Sequence, residues 1–150
     1  MTTKTSRISF DEYIMRICHA VAARATCRHR EQGAVIVKKS KRIISTGYNG
    51  APPGVKDCLE RGYCQKAEDL PCLAEGLHGE SNAIITAARE GISVDNTVLY
   101  CIFSPCRSCC NMIKTAGIVE VVCEEVYEGF PDGPEYLKSL GVRVRKLEAK

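Results

Sequence analysis

The second half of the sequence alternates regularly between helical and strand patterns. In order, it predicts a helix over 81–90, a strand over 97–103, a helix over 106–116, a strand over 118–123, a short helix over 133–140 and a strand over 142–147. Gly91 and Gly117 follow two of these helices, as C-terminal glycines commonly do. Such alternation is typical of parallel strands joined by right-handed crossovers, with helices on both faces of one sheet.

The first half contributes a helix and a hairpin to the same sheet. Ser9 and Glu12 form the pattern of a capping box before a helix that runs to about Ala25. Residues 33–38 and 42–48 are rich in β-branched side chains and flank a polar turn, which predicts a β-hairpin. The sequence therefore predicts an α/β fold in a single domain over residues 1–150, with a mixed five-stranded sheet in a three-layer α-β-α arrangement.

Ten of the 150 residues are cysteines. The polar N-terminal segment leads into no apolar signal core, so we expect a cytoplasmic protein with reduced thiols. No apolar run approaches the ~18 residues of a membrane span, so no membrane partner is expected. A net charge of +3, six tyrosines, three phenylalanines and no tryptophan argue against binding to a nucleic acid polymer. Reduced cysteines then indicate metal binding or catalysis.

A long loop is predicted over residues 49–77. It is rich in glycine and proline and shows little periodicity, and it contains Cys58, Cys64 and Cys72. Loops of this length in compact domains are usually functional or need additional support.

Two short motifs carry the candidate chemistry. Cys106 and Cys109 lie three residues apart at a predicted helix start, where both face one side and the helix dipole favours thiolates. His78, at another helix start, supplies a third candidate zinc ligand. Three protein ligands leave the fourth tetrahedral position for water, as in catalytic zinc sites. Zinc lowers the pKa of bound water toward ~7, and Glu80 can reach that water as a proton shuttle.

Each motif has other interpretations when taken alone. A His-x-Glu sequence often occurs by chance, and a Cys-x-x-Cys sequence is also found in structural zinc knuckles and redox pairs. The two motifs together, each at a predicted helix start with a strand between them, resemble the signature of the zinc-dependent nucleobase deaminases.

The resemblance extends over about residues 8–144. Four segments carry it: GYNGAPPG at 47–54, HGESNAI at 78–84, SPCRSCC at 104–110 and AGI at 116–118. In this order they resemble the deoxycytidylate (dCMP) deaminase family, and the GYNG segment separates the chain from free cytidine deaminases and tRNA adenosine deaminases. The resemblance implies the cytidine-deaminase-like version of the predicted fold.

The resemblance also implies a reaction, the conversion of dCMP and water to dUMP and ammonia for thymidylate synthesis. Glu80 would take the proton of the water, protonate N3 of cytosine and assist departure of ammonia. Asn49 matches the family's asparagine that contacts the nucleotide, and Tyr127 matches a tyrosine near the phosphate, although a turn residue and a packed aromatic are the respective alternatives. Ser104 would offer a backbone carbonyl to the leaving amino group. Gly79, a candidate substrate contact through its N–H, replaces the family's usual alanine and loosens the backbone.

A second, structural zinc is implied by resemblance to some family members. Its ligands would be Cys27, Cys58, Cys64 and Cys72, and four thiolates would close a tetrahedral site that contributes folding energy. His29 or His19 could replace one thiolate, and buried or free thiols are the alternative. Of the other cysteines, Cys18, Cys101 and Cys123 are expected in the core and Cys110 is not expected to be a ligand.

Assembly and regulation enter only through the resemblance. It implies a homo-oligomer, most often a hexamer, activated by dCTP and inhibited by dTTP, both with Mg²⁺. Arg89, at the end of the Glu80 helix, is a candidate for an effector phosphate or a subunit interface. Arg24, Arg28 and Arg30 are further candidates, and ordinary surface charge is the alternative for each.

Two other functions stay open at this point. The same chemistry could act on dCTP, on a modified cytosine nucleotide or on a nucleobase. A cysteine-rich zinc module that serves as a scaffold or binds nucleic acid would explain the thiols, but it would not explain Glu80 or a site with only three protein ligands.

Overall fold

The computed structural model describes residues 6–63 and 76–148 and has one mixed five-stranded sheet. The elements are α1 (Phe10–Ala22), β1 (Gly33–Lys38), β2 (Ile43–Tyr48), α2 (Cys58–Arg61), α3 (Gly79–Arg89), β3 (Thr97–Phe103), α4 (Arg107–Thr115), β4 (Glu120–Glu125), α5 (Gly133–Ser139) and β5 (Arg143–Lys146). The strand order is β2-β1-β3-β4-β5. β1 pairs antiparallel with β2 and β3, whereas β3, β4 and β5 are parallel. The predicted fold class is confirmed.

Helices cover both faces of the sheet. Alternate residues of β1 point to opposite faces, because side chains of a strand alternate. Val35 and Val37 pack with α1, and Ala34 and Ile36 pack in the cluster that includes residues of α3, α4 and α5. Both clusters consist of side chains with almost no exposed area. The predicted core cysteines Cys18, Cys101 and Cys123 all lie in these clusters, and so does Cys110.

The ends of α1 differ slightly from the prediction. Ser9 caps the helix, with its hydroxyl accepting from the Glu12 N–H at 3.1 Å. The Glu12 carboxylate also accepts from Arg16 at 2.7 Å, an i,i+4 pair along the helix. The helix ends at Ala22 and not near Ala25, because residues 24 and 25 turn through tighter hydrogen bonds to residues 21 and 22.

One short helix was missed and the start of one strand was predicted wrongly. A full capping box of Asp57 and Glu60 starts the short helix α2 inside the predicted loop, and Gly62 with φ 78° ends it. β4 begins at Glu120 and not at Ile118. Ile118 is buried, but its N–H bonds to the Ile113 carbonyl at 3.2 Å and so completes the end of α4.

The start of α3 is held against the sheet by a close backbone approach. A Cβ atom at Gly47 of β2 would lie 2.3 Å from both the Ala83 nitrogen and the Gly79 oxygen. Only a glycine lets the helix approach this closely, so the contact fixes the position of the first turn of α3. Within the described ranges, none of the helices combines the length and the apolar character that crossing a membrane requires.

Candidate active site

The N-termini of α3 and α4 meet beyond the end of β3. His78 is the N-cap residue of α3 and Cys106 is the N-cap residue of α4, both with extended backbone. Cys109 follows in the first turn of α4 and is buried. His78 Nδ1 lies 3.3 Å from Cys106 Sγ and 3.4 Å from Cys109 Sγ. The predicted His/Cys/Cys group is therefore assembled from two helix ends, where backbone N–H groups favour anionic sulfur.

These three side chains fit a tetrahedral zinc. Zinc bonds of ~2.0 Å to nitrogen and ~2.3 Å to sulfur place the two ligand atoms about 3.5 Å apart at a tetrahedral angle. The observed distances of 3.3 and 3.4 Å are close to that value, and all three ligand atoms lie within 4.8 Å of one another. Three ligands leave one coordination position open, as catalytic zinc sites require.

The charge states of the three groups are coupled. Hydrogen bonds from Cys109 and His78 lower the pKa of the Cys106 thiol. The reciprocal hydrogen bond, together with burial, raises the pKa of Cys109. The hydrogen bond with Cys106 raises the pKa of His78, against the effect of burial. These opposite shifts favour the thiolate at Cys106 and the thiol at Cys109, and a bound divalent cation would favour the deprotonated form of both.

Glu80 lies beside this group on the first turn of α3 and is 3% exposed. Its Oε1 accepts a hydrogen bond of 3.0 Å from the Gln32 side chain, and its Oε2 lies 3.9 Å from Cys109 Sγ. Burial raises the pKa of the Glu80 carboxyl above its ordinary value. A carboxyl group with a raised pKa next to a candidate metal site is suited to accept and return a proton.

A cavity opens onto the site. Its lining includes His78, Glu80, Ser104, Cys106 and Tyr127. Asn49, Cys27 and Cys58 also line it, so seven of the residues predicted from the sequence face one space along with Glu80. Cys64 and Cys72 lie outside the described residues. Arg89 is exposed at the far end of α3, about 16 Å along the helix from His78 at 1.5 Å per residue.

Several predicted residues also make structural contacts. The Asn49 side chain accepts from the Gln32 N–H at 2.8 Å and donates to the Arg30 carbonyl at 2.7 Å. The Ser104 hydroxyl accepts from the Tyr127 N–H at 2.9 Å. Asn49 and Ser104 therefore shape the cavity wall, whatever contact they make with a ligand.

The other sequence candidates lie at different places. His29 lines the cavity, whereas His19 forms a 2.6 Å contact with Glu124 outside the cavity lining. Arg24 is exposed, and exposed Arg28 donates to the Gly62 carbonyl at 2.7 Å.

Gln32 was not predicted from the sequence, and Arg30, a candidate for an effector phosphate or a subunit interface, instead lies with Gln32 in the cavity wall. The Arg30 guanidinium carbon lies 4.5 Å from the ring centroids of both Phe103 and Tyr127. Its Nη1 is buried and has no hydrogen-bond partner within residues 6–63 and 76–148. Phe103 and Tyr127 are far from Arg30 in sequence, so no local motif signals this arrangement.

Comparisons with known proteins agree with this geometry. The model of the cytidine and deoxycytidylate deaminase zinc-binding region matches residues 8–125. ComE operon protein 2 of Bacillus subtilis is 37% identical over 142 residues, which cover 95% of this chain and 73% of that protein. The deoxycytidylate deaminase of Saccharomyces cerevisiae is 36% identical over 147 residues, covering 94% of this chain and 46% of the yeast protein. The chain thus spans about half the length of the yeast relative.

A solved structure provides a further comparison. The crystal structure of the dCMP deaminase from the cyanophage S-TIM5, in complex with dCMP and dUMP, superposes with a TM-score of 0.81 at 31% identity. The match covers 95% of this chain and 99% of the cyanophage chain.

Proposed function

Because the chain belongs to the cytidine and deoxycytidylate deaminase family, we propose that it hydrolyses dCMP to dUMP and ammonia. The observation that carries the proposal is the His78, Cys106 and Cys109 group with buried Glu80 beside it, in a cavity that also holds an unpaired arginine nitrogen. The chain is also 31% identical to a cyanophage enzyme whose structure contains dCMP and dUMP.

The three metal-ligating candidates would hold a catalytic zinc through one imidazole nitrogen and two thiolates. A bound zinc lowers the pKa of a water molecule toward ~7 and so supplies a nucleophile at neutral pH. The buried position of Cys109 and the partly buried position of Cys106 keep bulk water away from the sulfur atoms.

Glu80 is the proposed proton carrier. Its carboxylate takes one proton from the attacking water and delivers it to N3 of the cytosine. It then takes the second water proton from the new C4 hydroxyl and delivers it to the amino group, so that the C4–N bond breaks, C4=O forms and ammonia leaves. One carboxylate can serve each transfer because burial raises its pKa, which favours holding the proton between steps. The balance is dCMP plus water giving dUMP plus ammonia.

The nucleotide phosphate is the proposed partner of Arg30. Arg30 is half-buried, but its Nη1 is buried without a partner among the described residues, and a buried donor nitrogen is costly unless a ligand supplies an acceptor. Tyr127 stacks on the same guanidinium and would lie near the phosphate, as the family resemblance implied. Asn49, the Gly79 N–H and the Ser104 carbonyl are the proposed contacts to the nucleoside.

A substrate panel tests the assignment. Purified zinc-loaded protein should deaminate dCMP faster than CMP, dCTP or deoxycytidine, measured as ammonia release with and without dCTP, dTTP and Mg²⁺. The Glu80→Gln variant should lose at least about 10³-fold in kcat while it retains its zinc. The proposal would be contradicted if zinc-loaded wild type did not deaminate dCMP in any effector condition. A faster reaction with dCTP than with dCMP would change the assigned substrate to dCTP.

The remaining parts of the proposal follow the family resemblance. We propose a cytoplasmic homo-oligomer, most simply a hexamer of single-domain subunits, that supplies thymidylate synthesis. We also propose activation by dCTP and inhibition by dTTP, each with Mg²⁺, with Arg89 at an effector site or a subunit interface. Sedimentation velocity with and without each nucleotide tests the assembly, since a monomer in every condition would exclude a hexamer.

A further inference from the structure

We propose that Gln32 is a positioning residue that orients Glu80 toward the metal site, and that position 79 is a glycine because Gln32 occupies the adjacent space. The inference rests on the proposed function, in which Glu80 carries the proton. It concerns a pair of residues, Gln32 and Gly79, that touch each other across the start of α3.

The Gln32 side chain is buried, and each of its polar atoms is used. Its Oε1 accepts from the Phe103 N–H at 3.1 Å, and its Nε2 donates to the Phe103 carbonyl at 2.9 Å. The second Nε2 hydrogen is directed to Glu80 Oε1 at 3.0 Å. Because the backbone N–H of Phe103 can only donate and its carbonyl can only accept, these two bonds fix which end of the amide faces Glu80.

The backbone of Gln32 is also fixed by hydrogen bonds, as its side chain is. Asn49 Oδ1 accepts from the Gln32 N–H at 2.8 Å, and the Asn49 N–H donates to the Gln32 carbonyl at 3.2 Å. The donor to Glu80 is therefore fixed at both ends of its residue, by Asn49 on one side and by the end of β3 on the other.

In this arrangement the two carboxylate oxygens of Glu80 have different surroundings. Oε1 is occupied by the Gln32 donor, while Oε2 faces Cys109 Sγ at 3.9 Å. A carboxylate without the Gln32 bond could rotate about its terminal bonds, and small displacements of a catalytic group strongly lower the rate. Gln32 thus keeps Oε2 on the metal side of the cavity.

Gly79 provides the space that this glutamine needs. A Cβ atom at position 79 would lie 3.0 Å from the Gln32 carbonyl oxygen and 3.1 Å from Gln32 Cγ. It would also lie 3.2 Å from the Gly47 oxygen, on a strand that cannot retreat from α3. Such contacts are tighter than van der Waals packing allows without displacement, so an alanine here would push the Gln32 side chain away from Glu80. The two residues are therefore matched to each other.

The first test replaces the amide and keeps the side-chain length. Gln32→Met should lower kcat for dCMP about 10- to 100-fold, the effect of losing a hydrogen bond to a charged group, with KM within about twofold. Zinc content by mass spectrometry should stay at the wild-type value, because Gln32 contacts none of the three ligands. The matched control is Ser45→Ala, which removes another buried bond to the same helix, from Ser45 Oγ to the Ala83 carbonyl, and should leave kcat unchanged.

The second test is a double-mutant cycle on the matched pair. Gly79→Ala should lower kcat and Tm in the wild-type background and should lower them less in Gln32→Ala, where the Cγ contact is gone. The Tm measurements need no substrate, so they report on the Gln32–Gly79 contact even if the enzyme acts on a different nucleotide.

The outcomes separate the inference from the function on which it rests. Wild type that fails to deaminate dCMP contradicts the proposed function alone, and the cycle in Tm still decides whether the pair is matched. Active wild type with an equally active Gln32→Met variant overturns the positioning role. If Gly79→Ala lowers kcat and Tm equally in both backgrounds, the proposal that Gln32 and Gly79 are matched is overturned. If Ser45→Ala lowers kcat as much as Gln32→Met does, Gln32 only supports α3 and does not position Glu80.

Discussion

Arg30 packs against two aromatic rings, yet one of its guanidinium nitrogens has no hydrogen-bond partner in the described chain. The guanidinium lies 4.5 Å from two ring centroids, which explains how a cation is tolerated in the cavity wall. Stacking uses the faces of the group and leaves its edges for hydrogen bonds, and one edge nitrogen is buried without a partner in the described chain. The free edge is the part of the cavity with the clearest preference for an anion.

The first prediction concerns this residue. Arg30→Met should raise KM for dCMP at least about tenfold, because the proposed phosphate contact is lost, and should leave KM for deoxycytidine nearly unchanged. Steady-state kinetics on both substrates make the measurement, with exposed Arg24→Met as the control that alters charge alone. An equal rise of KM for both substrates would contradict the assignment and indicate a packing role for Arg30.

The second prediction distinguishes two neighbouring thiols. Cys109→Ala should remove the catalytic zinc, whereas Cys110→Ala should retain it, although both residues are buried on α4. Only Cys109 faces His78, and the Cys110 sulfur instead lies 3.5 Å from the Pro105 carbonyl. Zinc per chain by mass spectrometry gives the answer, and loss of zinc from Cys110→Ala alone would show that the ligands are assigned wrongly.

At the scale of elements, the sequence predicted those structures that local patterns determine. β3 was predicted with its observed bounds because a run rich in β-branched and aromatic residues coincides with the buried strand. α2 was missed because four residues are too few to show helical periodicity. Gln32 was missed as a site residue, and Arg30 was named only for an effector phosphate or a subunit interface, because the partners of both residues lie about 50 to 100 residues away along the chain. The grouping of the candidate ligands His78, Cys106 and Cys109 was predictable because His-x-Glu and Cys-x-x-Cys are short motifs with fixed spacing, each at a helix start.

The third prediction concerns the edge strand β5. Arg145 donates to Asp11 of α1 at 2.7 and 3.1 Å and also bonds Glu120 of β4, so it joins three elements. Arg145→Leu should lower Tm by roughly 2–6 °C, since the residues are partly exposed. Arg143→Leu is the matched control, because Arg143 pairs with Glu120 and has no bond to Asp11 among the contacts described.

The pH dependence of this effect has a definite sign. The hydrogen bond from Arg145 lowers the pKa of Asp11 from 3.8, against the opposing effect of burial. A lowered folded-state pKa gives stabilisation that is complete above the unfolded value and is lost as the pH falls through the folded value. The Tm difference between wild type and Arg145→Leu should therefore be constant from about pH 5 to 8 and should narrow below about pH 4. A difference that grows on acidification would contradict the assignment to Asp11.

At the scale of the whole molecule, the two faces of the sheet are covered by different helices. Of the helices in the described ranges, α1 packs on one face, and α3, α4 and α5 pack on the other. The candidate site lies at the edge where the starts of α3 and α4 meet the segment before β1, so it draws on both halves of the chain. Cys27 and Cys58 line the same cavity, which would place the proposed structural zinc close to the substrate.

The fourth prediction counts metal ions in the whole chain. If the second site forms, purified protein should hold about two zinc ions per chain, and Cys27→Ser should lower the number to about one with a fall in Tm. Core Cys18→Ser is the control, since it alters a buried thiol that packs in the α1 cluster, outside the cavity lining, and should not change zinc content. About one zinc per wild-type chain would remove the second site from the proposal.

The placement of metal ligands on two helix ends has a consequence for how the protein folds. His78 and Cys106 are 28 positions apart, with one helix and one strand between them. An ion held by both would act as a crosslink that closes this loop, and a crosslink of this length removes conformational freedom from the unfolded chain. Metal supply would then govern the amount of native protein as well as its turnover, and a chelator would lower the Tm as well as the activity.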